Sequence, residues 1–236
     1  MRTFYISDIH GNFCVFKKLL DHVKFDPTDD NLVIGGDMIN RGPKSSHVLQ
    51  WAKENASNYP DTIHVIAGNH EEMMIWFIKE LSPMWMEFGG DEAIKSFKRV
   101  YGDENGWDVA ERYATWLEKL PLLYEDEHAI YVRAGIDVLS DKANQPRDIM
   151  WMNKKELKQI DKKALMKWSN GKPIFRGHNP FSTVHVEEQF VCADLGSGII
   201  EDDRAALALV EVNENRYYRC NMEGEITVHA IEGIKQ

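Results

Sequence analysis

Thr3-Phe4-Tyr5-Ile6-Ser7-Asp8-Ile9-His10-Gly11-Asn12 joins a short apolar run of aromatic and β-branched residues to a polar cluster. The first four residues read as a strand, and the chain leaves it through Asp8, His10 and Gly11. Cys14, Val15, Leu19, Leu20 and Val23 then keep helical spacing. The same alternation recurs twice. Residues 31–35 are strand-like, end in Gly36-Asp37-Met38-Ile39-Asn40-Arg41-Gly42-Pro43, and lead to a second helix near Val48, Leu49 and Trp51. Residues 62–67 form a third strand that ends in Gly68-Asn69-His70-Glu71, with a helix from 71 to about 80. Strands separated by helices of this length predict βαβ units and a sheet with a parallel portion. Each strand delivers polar residues at its C-terminal end, where ligands bind in open α/β sheets.

Downstream the pattern changes. Residues 81–119 hold Gly89-Gly90, a helix over 91–100, a turn at 102–106 and a helix over 107–119, with Trp85, Trp107 and Trp116 spread through them. This predicts a small helical insert, about 81–120, packed over one face. From Pro121 onward the signals are short strands at 129–132, 174–175, 183–186, 190–193, 205–212, 216–220 and 225–230, with one helix over 157–168. The acidic run Glu201-Asp202-Asp203 reads as a solvated turn. No segment resembles a linker, so the expectation is one domain over 1–236, α/β in its first half and β-rich in its second.

Composition narrows the function. Hydrophobic residues make up 43% and charged residues 28%, a globular balance. The net charge of −10 argues against a nucleic-acid polymer as partner, which needs a broad basic face, but leaves room for a pocket that holds one phosphate. Uncharged stretches such as 62–70 are about half as long as the ~20 residues of a membrane helix, so no membrane partner is expected. Met1-Arg2 runs straight into the first strand without a secretory leader, and Cys14, Cys192 and Cys220 lack any C-x-x-C pairing. Both point to a reducing cytoplasm and away from a thiolate metal site.

The clustered residue types suit a hard or borderline dication: carboxylate, imidazole and amide oxygen, without thiolate. In Asp8-x-His10, alternate residues at a strand end can face one ion, and a carboxylate such as Asp37 can bridge two. Paired ions at ~3.5–4 Å activate a water and clamp a phosphoryl oxygen. Arg41 adds a planar cation suited to phosphate. Arg176 reads either as a second phosphate contact or as a structural pairing. His22, His47, His64, His128 and His229 have no motif around them and read as surface or packing residues, as does His185 on its strand. The Met73-Met74/Trp76-Phe77 cluster reads as core.

Asp-x-His-Gly at 8–11, Gly-Asp-x-x-x-Arg-Gly at 36–42 and Gly-Asn-His-Glu at 68–71 resemble the signature set of the phosphoprotein phosphatase family of calcineurin-like metallophosphoesterases. The spacing resembles small bacterial and phage lambda-type serine/threonine phosphatases. Gly177-His178-Asn179-Pro180 and Asp194-x-Gly196 extend the likeness along nearly the whole chain. The resemblance implies an α/β fold, a β-sandwich flanked by helices in αββα layers. It implies two divalent ions, manganese first, with iron or zinc as alternatives. Asp8 and His10 would hold the first ion, Asp37 would bridge, and Asn69 and His178 would hold the second. Arg41 would grip phosphate, and His70 would protonate the leaving group.

Three departures stand against the family pattern. Arg133, in Tyr131-Val132-Arg133-Ala134-Gly135, stands where a histidine would complete the second site, and a guanidinium has no lone pair to give. Its expected effects are weak occupancy of that site, or a guanidinium turned to the phosphate. Asn40 stands where an aspartate would orient the catalytic histidine. Asn153 stands where a second phosphate-gripping arginine would be. The leading expectation is a metal-dependent phosphomonoesterase, a serine/threonine protein phosphatase acting on phosphorylated protein or a small phosphoester. The alternatives are a diadenosine tetraphosphate-type nucleotide hydrolase, towards which Asn40 leans, and a phosphate-binding or regulatory protein with a degraded second site.

Overall fold

The computed structural model describes residues 1–200 and 204–234, so the acidic run at 201–203 lies outside the described residues. Its first sheet takes β1 (Arg2–Ile6), β2 (Asp30–Ile34) and β3 (Ile63–Val65) in parallel, with Phe4 opposite Leu32 and Ile34 opposite Val65. The last three strands of the chain, β9 (Ala206–Glu211), β10 (Arg216–Asn221) and β11 (Ile226–Ala230), extend it antiparallel on the other side of β1. The second sheet contains β4 (Leu123–Glu125), β5 (Ile130–Val132), β6 (Ile174–Arg176), β7 (His185–Glu187) and β8 (Phe190–Cys192). Its spatial order is β4-β5-β6-β8-β7, and β5, β6 and β8 run parallel.

Strand periodicity builds the layers. Successive side chains on a strand point to opposite faces. Phe4 and Ile6 pack under α1 (Phe13–His22), α2 (Ser45–Asn58) and α3 (Asn69–Ile78). Tyr5 and Val33 point the other way, onto Tyr131, Phe175, Val191 and Val210 between the sheets. Tyr5 stacks on Tyr131 at 5.6 Å, and Tyr131 on Phe175 at 5.8 Å. On the far side, Ile130, Val132 and Ile174 meet Leu157 and Leu165 of α7 (Lys154–Leu157) and α8 (Lys162–Ser169). The result is helix, sheet, sheet, helix, as the family resemblance implied.

Between β3 and β4 the chain forms α4 (Met84–Glu87), α5 (Gly90–Tyr101) and α6 (Gly106–Leu117), close to the expected helices. Their aromatic residues join the first core, where Phe77 meets Trp85 at 5.6 Å. The single helix expected over 157–168 is instead two. Asp161 accepts from the Ala164 N–H and starts α8 afresh, while Asn153 and Glu156 cap α7 reciprocally. β4 carried no clear signal because it is three half-buried residues at a sheet edge.

Candidate active site

All three parallel strands of the first sheet and all three of the second end at one edge, and their following loops carry the motif residues. Asp8 and His10 follow β1, Asp37–Arg41 follow β2, and Asn69 and His70 open α3 after β3. Arg133 follows β5, His178 follows β6 and Asp194 follows β8. The backbone there is unusual. Asp8, His10, Asp37, Asn40, Arg41 and His178 all have positive φ, between 44° and 74°. Left-handed backbone is uncommon outside glycine, although Asp, Asn and His tolerate it best. Such strain gathers where surrounding contacts over-determine a site.

Gly177 is required for a different reason. A Cβ there would strike Asp8 Oδ2, and its neighbours include Arg133 Nη1. Glu71, fully buried, accepts the N–H groups of Asp37 (2.8 Å), Met38 (2.8 Å) and Ile39 (3.3 Å) and fixes the loop after β2. Burial, with Asp37 nearby, pushes its carboxyl up to about 8.

The site divides into two halves that share Asp37. In one, His10 directs Nδ1 to the Ile39 carbonyl at 2.9 Å, which places the proton there and turns the Nε2 lone pair inward. That lone pair lies 3.9 Å from Asp8 Oδ1 and 3.7 Å from Asp37 Oδ2. Burial pushes His10 down to about 3, so the ring stays neutral. Arg41 reaches in from the mouth and gives Nη1 to His10 Nε2.

His70 is held by a relay. Trp85 Nε1 donates to Asn40 Oδ1 at 2.7 Å, and Asn40 Nδ2 faces His70 Nδ1 at 2.6 Å. Indole nitrogen only donates, so the Asn40 amide has one orientation and its NH2 donates to Nδ1. The His70 proton therefore sits on Nε2, 3.7 Å from Asp37 Oδ2. The 3.1 Å approach of Arg41 Nη2 to that nitrogen then brings two donors together and holds Arg41 only loosely. Burial pushes His70 down to about 4.

The other half is built around Arg133, whose side chain is 2% exposed. Its Nη2 donates to Asp37 Oδ2 and lies 2.9 Å from Asp8 Oδ1. Nη1 donates to Asp8 Oδ2 at 3.3 Å, Nε to Asn69 Oδ1 at 3.2 Å, and Nη2 to His178 Nδ1 at 3.3 Å. Burial works against the guanidinium's charge, but Asp37 and Asp8 outweigh it and raise its pKa. Burial likewise opposes ionisation of Asp37, and Arg133 overrides it and holds that carboxyl low. His178 is pushed down to about 4 by burial and then by Arg133.

These halves differ in their fit to the two implied ions. Asp8, His10 and Asp37 offer two carboxylates, one charge more than Arg133 neutralises, and an inward lone pair covered only by Arg41, a donor set whose chemistry suits one dication once Arg41 withdraws. His10, Asp37 and His70 bring nitrogen and oxygen atoms within 4.8 Å of one another, but the His70 Nε2 carries its proton and is no ligand in this tautomer. The second position does not fit, because Asp37, Asn69 and His178 all turn their acceptors to Arg133.

Of the expected site residues, Asp8, His10, Asp37, Asn40, Arg41, Asn69, His70, Arg133 and His178 come together around a cavity of about 260 Å³ or immediately behind it. Arg176 does not join them. It is 4% exposed, bonds Gly177 O and Asn179 Oδ1, and lines a separate cavity beside Phe190 and α8. Asn153 is spent on the α7 cap. His64 stacks on Tyr124 at 3.8 Å, His185 on Phe181 at 4.2 Å and His229 on Tyr217 at 5.0 Å. Trp85 had no sequence signal beyond its aromatic character. Glu71 stood in the motif without a role.

Residues 1–212 match the family model described as calcineurin-like phosphoesterase. A symmetrical bis(5'-nucleosyl)-tetraphosphatase from Buchnera aphidicola subsp. Baizongia pistaciae is 43% identical over 75 residues, 32% of this chain and 26% of the relative. Another from Actinobacillus succinogenes is 31% identical over 141 residues, 58% of this chain and 45% of the relative. The chain thus matches less than half the length of these relatives. A protein serine/threonine phosphatase structure from Saccharomyces cerevisiae aligns with 100% of this chain and 81% of its own, at TM-score 0.65 and 16% identity. At that identity the likeness is one of fold. Among the described residues no helix is long and apolar enough to cross a membrane.

Proposed function

The chain belongs to the calcineurin-like phosphoesterase family, and on that premise we propose that it is a metal-dependent hydrolase of the phosphoric anhydride in a dinucleoside polyphosphate. The observation that carries this reading is the Trp85–Asn40–His70 relay. A serine alkoxide leaves only with a proton, and an imidazolium would have to supply it. An imidazolium carries hydrogen on both nitrogens, yet the Asn40 NH2 already points at Nδ1. The nucleoside diphosphate released from an anhydride needs no such acid, since a phosphate group ionises near pH ~6. The curated relatives matched by sequence bear the same substrate class in their names. The protein phosphatase reading has a likeness of fold behind it.

A dication held by Asp8, His10 and Asp37 would supply Lewis acidity towards a phosphoryl oxygen and lower the pKa of a water. The chain's own groups do the rest. Arg41, engaged only by neutral imidazoles, is free to turn its fork onto phosphate. His70 Nε2–H donates to an oxygen on which charge develops. Phe88 and Ile199 line the mouth and limit water.

The test compares bis(5'-adenosyl) tetraphosphate with a phosphoserine peptide, with manganese present. The anhydride is expected to be favoured in kcat/KM by about 10²-fold or more, the usual worth of a general acid, with adenosine diphosphate as sole product. Faster turnover of the peptide overturns the proposal. Tight phosphate binding without turnover of either would favour the regulatory reading.

A further inference from the structure

We infer that the Arg133 guanidinium takes the place of the second metal ion, so that this chain carries one exchangeable dication and one cation fixed in its covalent structure. The inference rests on the metallophosphoesterase reading of the site. Its basis is the arrangement of acceptors around one side chain. Asp37, the residue expected to bridge two ions, accepts from Nη2; Asn69 turns Oδ1 to Nε; His178 turns the Nδ1 lone pair to Nη2. These are the three side chains that the family pattern assigns to the second ion. Each directs the atom that would ligate metal at the guanidinium instead.

Three features make the replacement structural. Arg133 is among the largest fully enclosed side chains of the described residues, and four acceptor groups hold it in place. It extends from the end of β5, an interior strand of the second sheet, and its carbonyl accepts the Gly177 N–H at 3.0 Å. Asp8 touches it through both oxygens. Arg133 thus ties the first sheet's carboxylates to the second sheet. A metal ion would do this reversibly; a guanidinium does it as part of the fold. A dication brought to the same place would meet like charge at short range with little water between.

The charge count follows. Asp8 and Asp37 face Arg133, which neutralises one of their two charges before any ion arrives and leaves one negative charge for a single dication. The chain should therefore fold and stay folded without metal, and bind only one ion when metal is supplied.

The experiment measures metal content by mass spectrometry after equilibrium dialysis against manganese, and thermal unfolding in excess EDTA. The wild-type chain is expected to hold one manganese and to stay folded in EDTA, with an unfolding temperature lowered only by the loss of that single ion. Arg133→His restores an imidazole and removes the fixed charge. It is expected to hold two, with an unfolding temperature that drops in EDTA and recovers on adding manganese. Arg133→Gln removes the charge without a strong ligand and is expected to hold at most one ion and to unfold earlier in both conditions. Two tightly held ions in the wild type overturn the inference, as does a histidine variant that folds and still holds one. Should the histidine variant fail to fold even with manganese, the wild-type stoichiometry and EDTA response decide alone. One ion without hydrolysis of the tetraphosphate would keep this inference and sink the proposed activity. Hydrolysis with two ions bound would do the reverse.

Discussion

The two arginines of the site are opposites in how the protein holds them. Arg133 faces two carboxylates, an amide oxygen and an imidazole lone pair, and its charge is stabilised above the ordinary value. Arg41 lies in a loop of left-handed backbone against two neutral imidazoles; burial lowers its pKa despite the more distant Asp37 and Asp8. The first is a cation committed to the fold. The second is a cation short of a partner, and an incoming phosphate would supply one. The contrast shows that residue type alone does not assign a role in an anion site: the number of charges already facing the group does.

The strongest way to break this contrast is through the shared residue. Asp37→Asn leaves Arg133 buried with one carboxylate fewer, and losing a partner from a buried pair costs about 3–5 kcal/mol. Urea unfolding in EDTA should show that loss, with metal binding reduced in parallel. A loss below about 1 kcal/mol would place Arg133 in a wetter environment than its enclosure indicates.

Arg41→Ala should separate the halves. Stability should stay within about 0.5 kcal/mol of wild type, as for a side chain without a buried partner. Transition-state stabilisation should fall by roughly 1.5–3 kcal/mol, read in kcat/KM on the tetraphosphate, with phosphate inhibition weakened alongside. A stability loss as large as that of the Asp37 variant would make the two arginines equivalent.

Trp85→Phe has the smallest expected effect and the most local one. The ring still fills its place in the first core, but Asn40 loses the donor that fixes its amide. Nitrogen NMR of His70 should change from the Nε2–H form to a mixture of tautomers, and phosphoserine ester turnover should rise relative to anhydride turnover. An unchanged spectrum would show that another contact sets the tautomer.

Much of this architecture is legible in the sequence because it rests on periodicity. Phe4, Tyr5 and Ile6 alternate between two cores, and the polar residues that follow each strand land at one edge. The parallel portion of the first sheet and the clustering of Asp8, His10, Asp37, Asn69 and His70 are read that way, whereas the αββα layering and the place of His178 follow from the resemblance of the motifs to a known family. The break in the helix expected over 157–168 depends on whether Asp161 spends its carboxylate on the Ala164 N–H, a competition that periodicity does not register. Arg133 was recognisable as a departure, but its direction required the packing of the second sheet on the first, which brings its guanidinium to Asp8 and Asp37. Arg176 was less accessible to such reading: it lies one residue before Gly177 and points to a different cavity. Trp85 reaches Asn40 across 45 positions, through a fold that must exist before the contact does.

The left-handed backbone at Asp8, His10, Asp37, Asn40, Arg41 and His178 sets the site against the rest of the protein as an evolutionary liability. Conformations of this kind cost of order 1–3 kcal/mol each where a side chain does not favour them, and glycine would relieve the strain at any of the six. Selection for folding alone would therefore erode the site, because stability and activity favour different residues there. The erosion would be uneven. Arg41 balances no carboxylate at contact distance, and glycine there would relax the chain at little structural cost. Asp37 neutralises Arg133 and anchors the His70 N–H, so its loss would destabilise more than the relief returns. A lineage released from the need for catalysis would surrender Arg41 first and Asp37 last.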